Sequence, residues 1–237
     1  MRILILTTET PHHIYFVEQL SNLGHEIVVV EETGYVSPPY ETYHYFETQR
    51  DQFETKTWFN GCQPKLGDFT QVYRFNRVND SKCVDLITRI KPDIVFVFGT
   101  QLLSEAVIEA SGNNIFNFHG GNASKYRGLD SHLWAIWHED FDAIVTTLHQ
   151  VEKGYDTGPI FDMKELKIEK IDSISKLRYW NTLACKAMAL EMIQALVCEG
   201  EIKVKEQLLA GRYYSFMPST LKQICVDKFQ KFLGAKK

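Results

Sequence analysis

The sequence lacks the cysteine patterns of disulfide-rich and zinc-binding proteins. Its five cysteines are widely spaced, odd in number and never form a CxxC pair. Neither a disulfide framework nor a zinc site is indicated, so we expect a reducing, cytoplasmic setting. The adjacent His12 and His13 have no acidic or cysteine partner at ligand spacing, and we expect no bound metal.

A basic excess and a long apolar run are also missing. The formal net charge is −4, whereas proteins that bind nucleic acid usually carry a positive excess. No apolar run reaches the roughly 18 residues that a membrane-spanning helix needs. A strand predicted to begin at Arg2 leaves no room for a signal peptide. We therefore expect no nucleic-acid partner and no membrane association.

What is present suits a globular α/β fold. Over 237 residues, 44% are hydrophobic and 13% aromatic, enough for the core of one domain. The segment MRILILTT is typical of a buried strand, and Ile14, Val17, Leu20 and Leu23 form a helical stripe that Gly24 closes. HEIVVVEE then predicts a second buried strand. This strand–helix–strand unit indicates a Rossmann-like, doubly wound and mainly parallel sheet, although the GxGxxG pattern of dinucleotide sites is absent.

The remaining chain continues the alternation with one gap. KCVDLITRI, QLLSEAVIEAS and SHLWAIWHED predict helices, and IVFVF, NNIFNFH, DAIVTTLHQV and GPIFDMKELKI predict strands. Residues 33–80 show no clear period and are interpreted as a loop or irregular helix. A long helix is predicted over 173–199, then a short strand EIKVKEQL, a turn GRYYSFMPS and a final amphipathic helix. We expect a core domain over 1–165 and a helix and hairpin extension over 166–237, packed on the core and offering dimer contacts.

Polar clusters follow several predicted strands, at the sheet edge where ligands of open α/β folds bind. Asn117 and His119 are two residues apart on a strand, so both side chains point to one face. With Asp156 they could stabilise an oxyanion, move a proton and orient the imidazole. No serine or cysteine nucleophile accompanies the histidine, which favours direct attack by an amine on an acyl carbon. A purely structural Asn–His pair fits the spacing as well.

Two motifs resemble the signature of the N10-formyltetrahydrofolate-dependent formyltransferases. NFHGGNASKYRGLDSHLWAI at 117–136 is similar to that family's Asn-x-His, Tyr-Arg-Gly and Trp-Ala-Ile elements, and KGYDTGPI at 153–160 to its Asp-Thr-Gly turn. The resemblance extends over roughly 1–165 and implies the formyltransferase fold with a catalytic core. It implies that Asn117 holds the formyl oxygen, that His119 is the general acid and base, and that Asp156 orients His119 and relays the amine proton.

The same resemblance implies where the substrates bind. The pterin of N10-formyltetrahydrofolate is expected against the loop after IVFVF and the loop carrying Asp156, mostly through backbone groups. The residues implied for the folate are Phe98, Gly99, Thr100, Gln101, Leu102 and Tyr155. Candidates for the acceptor substrate are Thr8, Glu9, Thr10, Tyr126 and Arg127. The three residues after the first strand are equally typical of helix caps, and Arg127 could instead bridge surface carboxylates.

The acceptor follows from where the sequence departs from the family. GGNASK replaces a proline-rich loop, and Asp130-Ser131-His132 replaces a proline before the tryptophan helix. This variant resembles members that formylate a nucleotide-linked amino sugar, carried on UDP or dTDP, for surface-glycan or nonulosonic acid biosynthesis, and we expect a homodimer. A methionyl-tRNA, peptide or small-amine formyltransferase and a non-catalytic nucleotide-binding module remain alternatives. The modest C-terminal tail and the acidic charge balance argue against tRNA as the acceptor.

Overall fold

A seven-stranded sheet organises the chain, and the computed structural model describes residues 1–209 and 211–235. Its first five strands are parallel, in the order β3-β2-β1-β4-β5, and β7 and β8 extend it in antiparallel pairing. This confirms the mainly parallel, doubly wound α/β prediction. The strands are β1 (Arg2–Thr7), β2 (Glu26–Glu32), β3 (Gln71–Phe75), β4 (Ile94–Phe98), β5 (Ile115–His119), β6 (Tyr126–Gly128), β7 (Val145–Gln150), β8 (Ile160–Glu165) and β9 (Arg212–Tyr214).

Helices cover both faces of the sheet. One face packs on α1 and α6, and the other on α3 and α4, which is why β1, β2 and β4 are buried at nearly every position. None of the helices in the described residues is long and apolar enough to cross a bilayer. The helices are α1 (Pro11–Ser21), α2 (Tyr45–Phe59), α3 (Ser81–Ile90), α4 (Glu105–Ser111), α5 (Ser131–Trp137), α6 (Leu177–Glu199) and α7 (Ser219–Ala235).

The C-terminal half of the chain joins this architecture rather than standing apart from it. Cys185, Met188 and Met192 of α6 belong to the same apolar core as the central strands. Helix α7 packs with α5 around the fully buried Met217 and Phe229. The extension expected over 166–237 thus includes elements that cover the sheet, and Ala210, Lys236 and Lys237 of that range lie outside the described residues.

Three local predictions are wrong. Residues 33–80 contain the 15-residue helix α2 and the edge strand β3. EIKVKEQL forms no strand, because only Lys205 pairs, in a single bridge to Ile160. The strand of this segment is β9, which lies in the predicted turn and pairs in parallel with β6, so no hairpin forms. The long helix begins at Leu177, after a 3-10 turn at Ile174–Lys176.

The order of the strands places a crevice beside β1. Strands β2 and β3 lie on one side of β1, and β4 and β5 on the other, so the winding direction reverses between β1 and β4. Chain segments leaving the carboxyl ends of these two strands go to opposite faces and leave a gap between them. The polar residues after β1, β4 and β5 surround this gap.

Candidate active site

A cavity of about 840 Å³ opens at the carboxyl ends of the parallel strands. Part of its wall comes from the loops after β2 and β4 and from the loop between β7 and β8. The rest comes from α2, α5, the start of α6 and the segment after β9. Asn117, His119 and Asp156 all line it. The cavity therefore has two differently built sides, with the three predicted catalytic residues on its wall.

Asn117 and His119 both lie within hydrogen-bonding reach of Asp156. Nδ2 of Asn117 donates to Oδ1 of Asp156 over 3.2 Å, and Nδ1 of His119 lies 3.4 Å from Oδ2 of the same carboxylate. Asn117 and His119 come from one face of β5, as their spacing predicts. Asp156 comes from the loop between β7 and β8. Its carboxylate is the centre of the cluster.

A fourth residue, His149, belongs to this cluster and was missed in the sequence. It lies opposite Asn117 in the β5–β7 pairing, and its Nε2 is 3.2 Å from both Nδ2 of Asn117 and Oδ1 of Asp156. It is 2% exposed. Its place near the end of the predicted strand DAIVTTLHQV, seven residues before Asp156, was the available signal. Only the antiparallel register showed which residue it faces.

Backbone contacts fix the proton positions of both histidines. Nε2–H of His119 donates to the carbonyl oxygen of Tyr126 over 2.8 Å, and Nδ1–H of His149 donates to that of Gln150 over 2.8 Å. In the neutral rings the other nitrogen carries a lone pair and faces Asp156. A further proton entering the cluster would therefore be bound between a histidine nitrogen and the Asp156 carboxylate.

Burial and charge set the ionisation of this cluster. Burial lowers the pKa of His119 below 6.5, and the Asp156 carboxylate only partly offsets this, so His119 is neutral near pH 7. Burial opposes ionisation of Asp156, but the two histidines and a backbone N–H hold the pKa of Asp156 well below its usual range. The resting state thus holds the Asp156 carboxylate beside a neutral His119.

The loop that carries Asp156 is held from two directions. The backbone N–H of Gly128 donates to Oδ2 of Asp156 over 2.7 Å. Nε2 of Gln207 donates to the carbonyl oxygens of Asp156 (2.9 Å) and Gly158 (2.8 Å). Asp156 itself has φ of 50°, in the left-handed region that aspartate tolerates. These contacts fix the carboxylate before any substrate binds.

Most of the residues predicted for the folate lie on the cavity wall. Gly99, Thr100, Gln101 and Leu102 line the side next to β4, and Tyr155 lies beside Asp156. Phe98 does not line the cavity, because its ring packs edge-on against His13 in the core, with centroids 4.6 Å apart. The backbone N–H of Gln101 donates to Oε2 of Glu32 over 2.8 Å, which fixes the loop after β4.

Among the acceptor candidates after β1, only Thr8 lines the cavity. Its hydroxyl lies 2.9 Å from Nδ1 of His13. Oε2 of Glu9 instead accepts the backbone N–H of Leu66 over 3.1 Å. The Thr10 hydroxyl lies 3.0 Å from Nδ1 of His12 and 2.9 Å from Nδ1 of His13. Glu9 and Thr10 therefore shape the wall from behind.

Tyr126 and Arg127 also lie off the cavity wall. The Tyr126 hydroxyl donates to Oδ2 of Asp140 over 3.2 Å, while its carbonyl oxygen holds His119. Arg127 donates to the carbonyl oxygen of Ala123 (3.1 Å) and to Oε1 of Gln207 (3.2 Å). Both residues thus support the catalytic cluster indirectly.

Comparison with known proteins identifies the family of this chain. The family model for formyl transferases matches residues 1–186. The chain belongs to the formyl transferase family. It is 31% identical over 129 residues to the bifunctional polymyxin resistance protein ArnA of Wigglesworthia glossinidia brevipalpis. The matched segment is 54% of this chain and 20% of ArnA. The match therefore spans about one fifth of the length of this relative.

Solved structures of formyltransferases share the fold. WlaRD, a sugar 3N-formyl transferase crystallised with dTDP and 5-N-formyl-THF, has a TM-score of 0.60 at 16% identity, over 91% of this chain and 69% of WlaRD. PseJ of Anoxybacillus kamchatkensis was solved in complex with UDP-4,6-dideoxy-4-formamido-L-AltNAc and tetrahydrofolate. Its TM-score is 0.52 at 17% identity, over 91% of this chain and 86% of PseJ. Glycinamide ribonucleotide transformylase 1 of Symbiobacterium toebii has a TM-score of 0.59 at 18% identity, over 89% of this chain and 94% of the transformylase. These likenesses establish the formyltransferase fold.

Proposed function

We propose that the chain transfers a formyl group from N10-formyltetrahydrofolate to the amine of a nucleotide-linked amino sugar. The observation that carries this proposal is the meeting of Asn117, His119 and Asp156 in one cavity, in the arrangement that the family motifs imply. Folate is a co-substrate here, and no group of three or more potential metal ligands occurs in the described residues. The roles proposed below use hydrogen bonds and proton transfer.

Proton transfer is assigned to His119 and Asp156. When the acceptor amine attacks the formyl carbon, the nitrogen becomes positively charged and must lose a proton. The facing lone pairs of Nδ1 of His119 and Oδ2 of Asp156 accept that proton and form an imidazolium–carboxylate pair. The proton then passes to N10 of the folate as the carbon–nitrogen bond breaks, and tetrahydrofolate leaves. Protons balance over one turnover.

Asn117 is assigned to the oxyanion. Its Nδ2 group has two hydrogens, which in this structure are directed at Asp156 and His149. Both bonds are 3.2 Å long, near the upper end of the usual range for N–H donors. Binding of the formyl oxygen therefore requires that Asn117 exchange one of these bonds for a bond to the substrate. The new hydrogen bond from Asn117 strengthens as negative charge develops on the formyl oxygen.

Two findings support a nucleotide-linked amino sugar as the acceptor. WlaRD and PseJ, which share the fold, were solved with dTDP and with a UDP-linked sugar respectively. The cavity also has two sides built from different elements, the loop after β4 on one side and α2 with α6 on the other, which offer separate places for the folate and the sugar nucleotide. We assign the product to surface-glycan or nonulosonic acid biosynthesis, with either UDP or dTDP as the carrier.

We further propose a cytoplasmic homodimer. All five cysteines are free thiols, which suits a reducing compartment. Exposed Val197 at the end of α6, with Leu208 and Leu209 on the segment after it, offers apolar surface for a second copy. Light scattering after size exclusion would give twice the monomer mass, and a monomer at micromolar concentration would contradict the dimer.

The function is tested by direct turnover. Purified chain is mixed with N10-formyltetrahydrofolate and UDP- or dTDP-linked 3-amino and 4-amino sugars, and the formamido product is detected by mass spectrometry. We expect tetrahydrofolate and product in equal amounts with one carrier, and none with Asn117→Ala. Binding of 5-formyltetrahydrofolate without transfer to any sugar, or tight binding of initiator tRNA, would contradict the sugar assignment. Absence of folate binding would contradict the activity as a whole.

A further inference from the structure

Two arginines line the side of the cavity away from the folate loops. Arg50 lies on α2 and Arg178 lies in the first turn of α6. Their side chains are only 20% and 19% exposed. Cationic groups held this far from solvent require partners that neutralise them. The partners are carboxylates, and where those carboxylates lie decides what the arginines can do.

Arg178 is held from behind. Its Nε donates to Oε1 of Glu54 over 2.9 Å, and its Nη2 donates to Oδ1 of Asp51 over 2.6 Å. Glu54 is fully buried, and neither carboxylate lines the cavity. Nη1 of Arg178 has no hydrogen-bond acceptor in the described part of the chain, and it keeps some accessible surface. Since Arg178 lines the cavity, this nitrogen is available to a ligand bound there.

Arg50 is held within its own helix, by Asp51 behind it and by Glu47, which lines the cavity. Its Nε donates to Oδ1 of Asp51 over 3.0 Å, and its Nη1 lies 3.7 Å from Oε1 of Glu47, too far for a hydrogen bond. Across residues 1–209 and 211–235, no acceptor for Nη2 of Arg50 is found. Two neighbouring guanidinium groups thus share Asp51 on one side and keep unpaired N–H groups on the other.

His12 extends this donor surface. It lines the cavity at the start of α1, and its Nδ1 is engaged by the Thr10 hydroxyl at 3.0 Å. Its Nε2 meets no partner in the described ranges. Burial, followed by the charge of Arg178, lowers the pKa of His12 well below its usual value, which keeps the ring neutral. The two arginines and His12 therefore form a patch that offers N–H donors to an oxyanion.

The patch lies close to the catalytic residues. Asn181 follows Arg178 by three residues, about 4.5 Å along α6. Its Oδ1 lies 3.6 Å from the Cβ position of Gly120, the residue after His119. An amino sugar with its amine near Asp156 could therefore reach the patch with its own anionic substituent. Carboxylates surround the arginines, so the free guanidinium edges, rather than net positive charge, would select the ligand.

We propose that Arg50 and Arg178 bind the diphosphate of the acceptor through their free guanidinium edges. The Nη1–Nη2 edge of Arg50 is free to bind phosphate oxygens in the bidentate manner that lysine cannot reproduce. Nε and Nη2 of Arg178 are held by Glu54 and Asp51, so Arg178 contributes Nη1 as a further donor. The inference rests on the proposed function for the identity of the acceptor, and it assigns to residues of α2 and α6 the recognition of the nucleotide carrier.

Calorimetry of nucleotide binding tests this assignment. We titrate uridine, UMP and UDP, and likewise thymidine, dTMP and dTDP, into each protein. The proteins are wild type, Arg50→Gln, Arg178→Lys and the control Arg89→Gln, whose side chain is exposed on α3. Arg50→Gln breaks no contact between helices, so it leaves the fold intact. We expect the preferred diphosphate to bind at least ten-fold more tightly than its nucleoside. Both cavity variants should lose about 10- to 100-fold in its affinity, and the control none.

Titration with 5-formyltetrahydrofolate separates the two proposals. Wild type and all variants should bind it within two-fold of one another. If wild type does not bind it, the proposed function fails. Equal affinity of wild type for nucleoside and diphosphate, or wild-type diphosphate affinity in Arg50→Gln, would overturn the phosphate assignment while folate binding persists.

Discussion

Asn117 and His149 lie directly opposite each other on antiparallel strands, with Nδ2 of Asn117 3.2 Å from Nε2 of His149. Because Nδ1–H of His149 donates to the Gln150 carbonyl, Nε2 can only accept in the neutral ring. It therefore selects the amino end of the Asn117 amide and directs it toward Asp156. We therefore expect His149 to act on catalysis through Asn117, as a positioning residue.

The first prediction concerns His149. We expect His149→Ala to lower kcat by about 100-fold, the effect of misplacing a catalytic group by about 1 Å, while KM for both substrates changes little. His149→Gln, whose amide oxygen can accept from Asn117, should recover much of the rate. Steady-state kinetics with both variants and the control His25→Ala, which lies outside the cavity, measure this. Equal rates for the Ala and Gln variants would show that His149 only fills space.

The second prediction concerns Asp156. In Asp156→Asn the carboxamide still accepts the Gly128 N–H, but it cannot form an ion pair with a protonated His119. We expect kcat to fall about 100- to 10,000-fold, the usual contribution of positioned acid–base groups. The affinity for 5-formyltetrahydrofolate and the melting temperature should stay near those of Asp85→Asn, an exposed control on α3. Retained turnover would remove Asp156 from proton transfer.

The third prediction concerns acid stability. His132 donates Nε2–H to the Val145 carbonyl over 2.6 Å, and burial lowers the pKa of His132 to about 4. Below pH 6.5 the unfolded chain binds a proton at His132 that the folded chain does not bind until about pH 4. The free energy of unfolding therefore falls as pH drops through that window, by about 3 kcal/mol from this residue.

Urea unfolding from pH 7 to pH 4 checks this value. His132→Gln, which keeps the donor to Val145 without a titrating ring, should show a shallower decline by about 3 kcal/mol, whereas the control His25→Gln should follow wild type. Parallel pH profiles for His132→Gln and wild type would mean that His132 is protonated in the folded protein.

The fourth prediction concerns Gly128, the last residue of β6, which pairs with Tyr214 of β9 and donates its N–H to Asp156. Its φ is +90°, and a Cβ there would lie 2.1 Å from the Tyr214 carbonyl oxygen. We expect Gly128→Ala to lose about 1 to 3 kcal/mol from backbone strain alone, more from the overlap, and most of its activity, since the N–H to Asp156 moves. Gly24→Ala, with φ of +76° and no atom within 4 Å, is the control for strain alone. Equal melting temperatures for the two variants would contradict a role for the overlap.

The central strands were predictable because burial on both faces leaves a local signature. Strands β1, β2 and β4 each contain a run of at least four consecutive apolar residues, and the stripe of α1 follows the helical period, so their order indicated the parallel sheet. The helix α2 was not predictable. Its buried positions are few, at Phe46, Glu54 and Phe59, and its N-cap is a histidine, so neither period nor cap was recognisable. The edge strand β3 is only half-buried and lacks the apolar run of its neighbours.

The acceptor candidates show the same division. Thr8 lines the cavity, but Glu9 and Thr10 turn away from it, although all three follow one strand end. Arg127 is adjacent to the motif glycine and yet supports Gln207 instead of a ligand. Sequence position placed the loop beside the cavity, but the direction of each side chain depends on the backbone angles and partners that only folding supplies.

By itself the sequence determined the doubly wound sheet, the formyltransferase motifs and the identity of Asn117, His119 and Asp156. These follow from local periodicity and from residue types at short spacings. The tertiary structure decided that His149 orients Asn117, that Gln207 holds the Asp156 loop, and that Arg50 and Arg178 share one wall. Those relationships join residues 32 to 128 positions apart, and they depend on strand register and helix packing, which no local pattern encodes.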